Sequence, residues 1–212
     1  DVILEVDGQD FRKSTSDKVS AALKGAPGSK ITLLVQRPGE TKPRKIEFRR
    51  QKIQVSPVSY YGALPSGYGY IALTSFPNTA ASEVKKAFLE LKEKHHIKGL
   101  ILDLRDNGGG LIDEAIKIVN FFVPAGEEVV TTRGRNARLQ ETIYKTTDKP
   151  LDTEIPLVVL INAQSASSSE IVSGALQDLD RAVVMGVKSY GKGLVQTTMQ
   201  LPYDGTIKLT TA

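Results

Sequence analysis

Short apolar runs alternate with amphipathic segments between residues 68 and 187, and this alternation limits the folds that the chain can adopt. The apolar runs have the length of strands, and a segment with helical spacing of apolar residues follows each of them. The runs are residues 69–73, 100–104 and 157–162, and the amphipathic segments are residues 84–91, 112–122 and 170–177. This order predicts an α/β domain in which helices pack on a largely parallel sheet.

The first 53 residues follow another pattern, with a strand, a helix that stops before Gly25, and two further strands. Two prolines and two glycines in residues 54–67 predict a linker. The sequence therefore predicts a small α+β unit over residues 1–53, a linker over 54–67 and an α/β domain over 68–212.

The composition excludes several kinds of site. The 212 residues include no cysteine and two histidines, His95 and His96, so thiol nucleophiles, disulfide scaffolds and zinc sites with cysteine ligands are excluded. Adjacent histidines cannot form the i, i+4 pair of a helical zinc site, and no metal or organic cofactor is expected. No run approaches the ~18–20 apolar residues of a membrane span.

The net charge of +4 is concentrated in residues 1–53, which hold 12 Lys/Arg and 7 Asp/Glu. This surplus predicts either a solvated basic face or attraction for an anionic partner. No nucleic-acid-binding motif accompanies it, so a nucleic-acid partner is not expected.

Ser167 lies between an apolar strand and a predicted helix, in the sequence Ser165-Ala166-Ser167-Ser168-Ser169-Glu170. One interpretation is a capping box, with Ser167 as the N-cap and Glu170 three residues later. The other is a nucleophile at a helix N-terminus, where backbone N–H groups and the helix dipole favour negative charge. The local pattern leaves both open.

Lys192 stands between two glycines in the segment Gly186–Gln196. The spacing from Gly186 to Lys192 imitates a phosphate-binding loop, but Gly193 replaces the hydroxyl residue that such a loop needs. Ser189 and Lys192 imitate the Ser-x-x-Lys motif, although the glycines argue against its helix. Lys192 is therefore either a surface lysine or a general base, and burial is what lets a lysine (unperturbed pKa ~10.4) lose its proton.

A third candidate is the loop Asn107-Gly108-Gly109-Gly110, which follows the apolar strand that ends near Leu104. Three glycines allow the backbone to approach a ligand closely. The loop is either a tight turn into the next helix or one side of an oxyanion hole.

Together these blocks resemble the C-terminal processing (tail-specific) serine proteases, whose three motifs occur in this order and spacing. The matching blocks are Leu102–Gly110, Asn162–Ile171 and Ser189–Gln196. Residues 1–9, 23–29 and 31–37 resemble the second half of a PDZ domain, which precedes the protease domain in that family. The family resemblance implies a protease core of the Clp protease/crotonase-like type.

The resemblance assigns a role to each matching residue. Ser167 corresponds to the nucleophile, Lys192 to the base and Gln196 to the residue that orients the base. The backbone N–H of Ser168 and of Gly109, or of Gly110 as the second choice, would form the oxyanion hole. Asp178 resembles an acidic position near the site in some members.

The implied function is a serine endopeptidase that uses a Ser–Lys dyad to cleave proteins near their C-termini, with the PDZ domain binding a free apolar C-terminus. The family resemblance also implies work outside the cytoplasm, in a bacterial periplasm or cell envelope, and leaves an oligomer possible. Two alternatives stay open: a catalytically inactive PDZ-bearing scaffold on a protease-like fold, and an esterase or amidase.

Overall fold

The computed structural model describes residues 1–53, 55–135, 141–203 and 205–212. The chain divides into two compact units, Asp1–Val55 and Ser56–Ala212. Within the described residues, no helix combines the length and the apolar character that crossing a membrane requires.

The first unit is a four-stranded antiparallel sheet with one helix. Its strands are β1 (Val2–Val6), β2 (Gln9–Asp10), β3 (Lys30–Gln36) and β4 (Arg44–Arg49), in the order β2-β1-β3-β4, and its helix is α1 (Ser16–Leu23). The alternation along β3 turns Ile31, Leu33 and Val35 toward a small core that Val6 and Phe11 complete. The predicted strand, helix, strand, strand order is confirmed, and the two-residue β2 is additional.

The second unit contains a five-stranded sheet in the order β11-β10-β7-β6-β5. Strand β5 is antiparallel to β6, and the other neighbouring pairs are parallel. The sheet strands are β5 (Val58–Ala63), β6 (Gly69–Leu73), β7 (Leu100–Asp103), β10 (Leu157–Ile161) and β11 (Val183–Gly186). Two hairpins lie outside the sheet: β8 (Glu128–Arg133) with β9 (Glu141–Lys145), and β12 (Gln196–Gln200) with β13 (Thr206–Thr210).

Three helices cover one face of this sheet. They are α2 (Ala80–His95), α3 (Ile112–Asn120) and α4 (Ser168–Asp178), and each lies between two neighbouring parallel strands in the chain. Because the strands follow one another in a single direction across the sheet, right-handed crossovers bring the helices to the same face. Apolar residues of all three join one buried cluster with the sheet, in which the Phe88 and Phe122 rings meet edge to face at 5.4 Å. The predicted α/β architecture is confirmed.

Two local features differ from the sequence prediction, and a third falls partly outside the described residues. The expected linker over residues 54–67 contains β5, because pairing with β6 overrides the flanking prolines and glycines. Gly99 is the stop signal that the sequence offers for the second helix of the chain. Helix α2 instead ends at His95, because His96 takes a left-handed conformation with φ 48°. The predicted turn over residues 203–205 includes Asp204, which lies outside the described residues.

The parallel arrangement decides where the candidate site forms. Strands β6, β7, β10 and β11 all point the same way, so the segments after them leave the same edge of the sheet. Those segments begin near residues 74, 104, 162 and 187, and they include all three sequence blocks singled out above.

Candidate active site

Ser167 occupies a strained backbone position at the start of α4. It is half-buried, and its φ of 56° and ψ of −113° are unusual for a residue other than glycine. Such a conformation costs about 1–3 kcal/mol and persists only where surrounding contacts enforce it. The contacts around Ser167 therefore hold its backbone in this conformation.

The predicted capping box is present. Glu170 Oε2 accepts a hydrogen bond from the Ser167 N–H at 2.7 Å, and the helix begins at Ser168. This interaction pins the backbone of Ser167 to the first turn of α4. Capping and a nucleophilic role are compatible, because both use the same helix terminus.

The loop that carries Ser167 is bonded to the end of β7. Ser165 Oγ donates to the Leu104 carbonyl at 2.8 Å, and the Ala166 N–H donates to the Asn107 carbonyl at 3.0 Å. Ser169 Oγ donates to the same Asn107 carbonyl at 2.9 Å. Ser165 and Ser169 are completely buried, so these hydroxyls satisfy backbone groups that water cannot reach.

The glycine loop lies directly against Ser167. Gly109 has φ of 95°, and a methyl group on its Cα would lie 2.7 Å from the Ala166 carbonyl oxygen and 2.8 Å from Ser167 Cβ. The position therefore requires glycine for its backbone conformation and for the close approach. Gly108, by contrast, faces open space.

The backbone N–H groups of the glycine loop are not equivalent. The Gly109 N–H donates to Asn107 Oδ1 at 2.9 Å. The N–H groups of Gly110 and Ser168 have no hydrogen-bond partner among the described residues. Of the three donors expected from the sequence, Gly109 is thus occupied, and Gly110 and Ser168 are free.

Gly110 and Ser168 face each other. Gly110 forms a parallel bridge with Phe76, in which the Leu111 N–H donates to the Phe76 carbonyl at 2.8 Å. Phe76 uses its own N–H and C=O in this bridge, so the N–H and C=O of Gly110 point away from the Phe76 segment. The Gly110 carbonyl accepts from Ser168 Oγ at 3.0 Å, so the free Gly110 N–H lies on the edge that faces the serine loop.

The carboxylate of Glu170 also holds the segment that contains Lys192. Its Oε1 accepts from Ser189 Oγ at 2.8 Å and from the Gly191 N–H at 2.6 Å, and its Oε2 accepts from the Lys192 N–H at 2.9 Å. Together with its bond to Ser167, this carboxylate joins the two segments that carry the proposed nucleophile and base.

The pKa of the Glu170 carboxyl follows from these contacts. Partial burial raises the pKa, but the hydrogen bonds from Ser189 Oγ and from the N–H groups of Ser167, Gly191 and Lys192 outweigh burial and hold it below its ordinary value. Glu170 is therefore ionised at neutral pH, and its charge strengthens each of these hydrogen bonds.

Within the described residues, no hydrogen bond joins the side chain of Lys192, Gln196 or Asp178 to Ser167. Lys192 is half-buried, and no hydrogen bond joins its Nζ to the Ser167 hydroxyl. Gln196 is exposed at the start of β12. Asp178 ends α4, ten residues or about 15 Å along the helix from Ser168. His95 ends α2 as expected, in its last turn.

A second carboxylate fixes the start of the glycine loop. Asp103 is 6% exposed, and Arg105 Nε and Nη2 donate to it at 2.6–3.0 Å. The Tyr70 hydroxyl also donates to Asp103. Burial raises the pKa of Asp103, but the bonds from Arg105 and Tyr70 outweigh it and lower the pKa overall. The charged pair thus anchors the point where the backbone leaves β7.

The segment after β11 lacks the helix that a phosphate-binding loop or a Ser-x-x-Lys site requires, since β12 is the next element after Gly186. Within the described part of the chain, no group of three or more His, Asp or Glu side chains is arranged to hold a metal ion.

The sequence alone suggests no role for the side chains of Asn107 and Asp103, and it indicates Glu170 only as part of a helix cap. Two signals could have indicated these roles: Asp103 lies in an apolar strand, and Asn107 opens the loop that follows it. Polar side chains that become buried in such positions need hydrogen-bond partners. The several segments that Glu170 joins are separated by about 20 residues, and no local pattern indicates that contact.

Gly109→Ala is expected to lower the free energy of unfolding by about 2–5 kcal/mol, because the new methyl group meets the Ala166 carbonyl at a positive φ. Thermal or urea unfolding measures the change. Gly108→Ala is the matched control, since nothing lies within 4 Å of its added methyl group. Equal stability of the two variants would contradict the close approach.

Glu170→Gln is expected to lower the unfolding free energy at pH 7 by about 1–3 kcal/mol, the usual value of hydrogen bonds to a charged group. Because the folded-state pKa of Glu170 is lowered, its contribution is complete above the unfolded pKa of ~4.3 and is lost as the pH falls through the folded pKa. The stability difference between the two proteins should therefore shrink below about pH 4. A stability difference that stays constant down to pH 2 would contradict stabilisation by the ionised Glu170 carboxylate.

Known proteins resemble this chain in sequence and in fold. The sequence profile described as peptidase family S41 matches residues 67–212. A carboxy-terminal-processing protease of Bartonella bacilliformis is 39% identical over 217 residues, which cover all of this chain and 49% of that protein. A protein named "Probable CtpA-like serine protease" of Staphylococcus aureus is 37% identical over 99% of this chain and 41% of its own length.

A solved structure agrees with these relatives. The photosystem II D1 C-terminal processing protease superposes with a TM-score of 0.63 at 31% identity, covering 99% of this chain and 56% of that one. The chain spans about half the length, or less, of the curated relatives that it matches. The profile match over most of the chain and the identity over its full length show that the chain belongs to peptidase family S41.

Proposed function

We propose that this chain carries the catalytic core of a serine endopeptidase that uses a Ser167–Lys192 dyad and cleaves proteins near their C-termini. The observation that carries the proposal is the strained φ of Ser167, 56°, together with the N–H groups of Gly110 and Ser168, which have no partner among the described residues. A nucleophile held against two free donors at a helix N-terminus suits acyl transfer through a tetrahedral oxyanion.

The reaction begins when Ser167 Oγ attacks the scissile carbonyl carbon and the neutral Lys192 amine takes the hydroxyl proton. The carbonyl oxygen becomes an oxyanion, which accepts hydrogen bonds from the free backbone donors. As the intermediate collapses, the peptide C–N bond breaks and the Lys192 ammonium gives its proton to the leaving amine. Water then attacks the acyl-enzyme with Lys192 again as base, and the proton returns to Ser167 Oγ.

Ser168 and Gly110 are the proposed oxyanion donors. Gly109 supports the same pair through its close approach, while its own N–H is bound to Asn107. The N-terminal end of α4 adds a favourable field for the developing negative charge.

Lys192 is proposed to reach Ser167 by a side-chain rotation, and the Glu170 Oε2 atom that accepts from the N–H groups of both residues supports this. A bound substrate covers the half-buried lysine and excludes water, which favours the neutral amine. Gln196 is proposed to orient the amine once the lysine turns inward.

Ser167→Ala and Lys192→Ala are each expected to lower kcat by at least about 10³-fold in the full-length protein, because each removes one member of a unit. Cleavage of an unstructured protein with an apolar C-terminus measures the effect. Lys188→Ala is the matched control, an exposed lysine in the same segment, and should cleave normally. Persistent cleavage by either dyad variant would refute the dyad.

The outcome also separates the alternative functions. Binding of the substrate without cleavage by the unmodified protein would favour a scaffold. Hydrolysis of small esters without cleavage of any protein would favour an esterase or amidase. The proposed endopeptidase requires cleavage that depends on Ser167.

We further propose that residues 1–53 are the second half of a PDZ domain that binds the free C-terminus of the substrate. The four-stranded sheet with one helix supports this proposal, as does the surplus of Lys and Arg in this segment. A domain of this type binds an extended peptide by adding it to a sheet edge. The proposed location is a bacterial periplasm or cell envelope.

Amidation of the substrate's C-terminal carboxylate is expected to lower kcat/KM by about tenfold or more, since a lost charge-assisted hydrogen bond costs about 1.5–3 kcal/mol. The comparison uses one substrate sequence with a free or an amidated C-terminus. The same substrate with a free carboxylate and an altered internal residue far from the cleavage site is the control. Equal rates for the two C-termini would contradict recognition of the carboxylate.

A further inference from the structure

Asn107 connects three segments at the carboxyl edge of the sheet. It has no exposed surface, and both ends of its side-chain amide are used. Its Nδ2 donates to the Leu73 carbonyl, at the end of β6, at 2.8 Å, and its Oδ1 accepts from the Gly109 N–H at 2.9 Å. Its side chain therefore connects the end of β6 to the glycine loop.

The backbone of Asn107 extends the same network to the serine loop. Its carbonyl accepts from the Ala166 N–H at 3.0 Å and from Ser169 Oγ at 2.9 Å. These two residues flank Ser167 and Ser168 in the chain. A displacement of Asn107 would thus move the glycine loop and the serine loop relative to each other.

The bond from Gly109 to Asn107 Oδ1 has a chemical consequence. Three consecutive glycines have no side chains that restrict rotation of their peptide units, so several N–H groups could turn toward an oxyanion. Asn107 captures one of them, the Gly109 N–H, and the Phe76 N–H donates to the Gly109 carbonyl at 3.1 Å. With both peptide units of Gly109 held in this way, the Gly110 N–H, like the Ser168 N–H, has no hydrogen-bond partner among the described residues.

We propose that Asn107 is a positioning residue of the oxyanion hole, which holds the Gly109 N–H and thereby assigns the Gly110 and Ser168 N–H groups as the donor pair. This inference rests on the proposed function, because it acts through the oxyanion that the Ser167 reaction forms. Asn107 does not touch the substrate. Its effect is to preorganise donors, and preorganised donors stabilise the transition state more than the bound substrate.

The first test measures kcat and KM of Asn107→Ala in the full-length protein. We expect kcat to fall by about 10²–10³-fold, the usual effect of losing one oxyanion donor, with KM nearly unchanged. The affinity for a peptidyl boronate, whose tetrahedral adduct on Ser167 places an oxygen in the hole, should fall by a similar factor. The affinity for the unmodified peptide of the same sequence, measured in the Ser167→Ala background, should not fall.

Asn120 provides a matched control. It is also a buried asparagine, 5% exposed, whose Oδ1 accepts from the Asp148 N–H at 2.7 Å and whose Nδ2 donates to the Asp148 carbonyl at 2.8 Å. It lies at the end of α3, away from the loops described above. Asn120→Ala should lower the melting temperature while kcat and boronate affinity stay unchanged. Normal kcat and boronate affinity in Asn107→Ala would overturn the proposal.

The second test needs no variant and applies even where Asn107→Ala does not fold. A structure of the full-length protein with the boronate bound should show one boronate oxygen at hydrogen-bond distance from the N–H groups of Gly110 and Ser168, with Gly109 still bonded to Asn107 Oδ1. A boronate oxygen bound by the Gly109 N–H would overturn the proposal. Cleavage that survives Ser167→Ala would instead refute the proposed function, so the two failures are distinguishable.

Discussion

Backbone groups at the carboxyl edge of the parallel sheet need hydrogen-bond partners, and this requirement shapes the site. Where β6, β7 and β10 end, buried N–H and C=O groups lose the partners that the sheet gave them. The loops bond to one another instead: Ser165 to Leu104, Ala166 and Ser169 to Asn107, and Asn107 to Leu73. This network is stiff enough to hold Ser167 in a backbone conformation that costs about 1–3 kcal/mol.

Two carboxylates fix the backbone around the candidate site. Asp103 forms an ion pair with Arg105 where the chain leaves β7. Glu170 accepts four hydrogen bonds from the segments that contain Ser167 and Lys192. Both have lowered pKa values, so both stay charged at neutral pH. Their charges organise backbone and hydroxyl donors around Ser167 and the glycine loop.

The spacing of apolar residues along the chain predicts most elements of the fold. The apolar strands and amphipathic helices of the second unit lie where the alternation predicts them, because burial of one helix face and of the sheet interior leaves a regular pattern in the chain. The failures were β5 and the end of α2. Pairing with β6 makes a strand of a segment rich in proline and glycine, and a left-handed His96 stops the helix before Gly99.

The sequence by itself determined the α/β class, the family resemblance and the candidates Ser167, Lys192, Gln196, Gly109, Gly110 and Ser168, since these depend on residue type, order and spacing along the chain. Only the tertiary structure decided which glycine N–H stays free, which side chain holds the glycine loop, and that Glu170 joins two distant segments. The bond from Gly109 to Asn107 is local, but the contacts of Asn107 with Leu73 and of Glu170 with Lys192 join residues 34 and 22 positions apart. Such contacts exist only once the parallel strands bring their carboxyl ends to one edge.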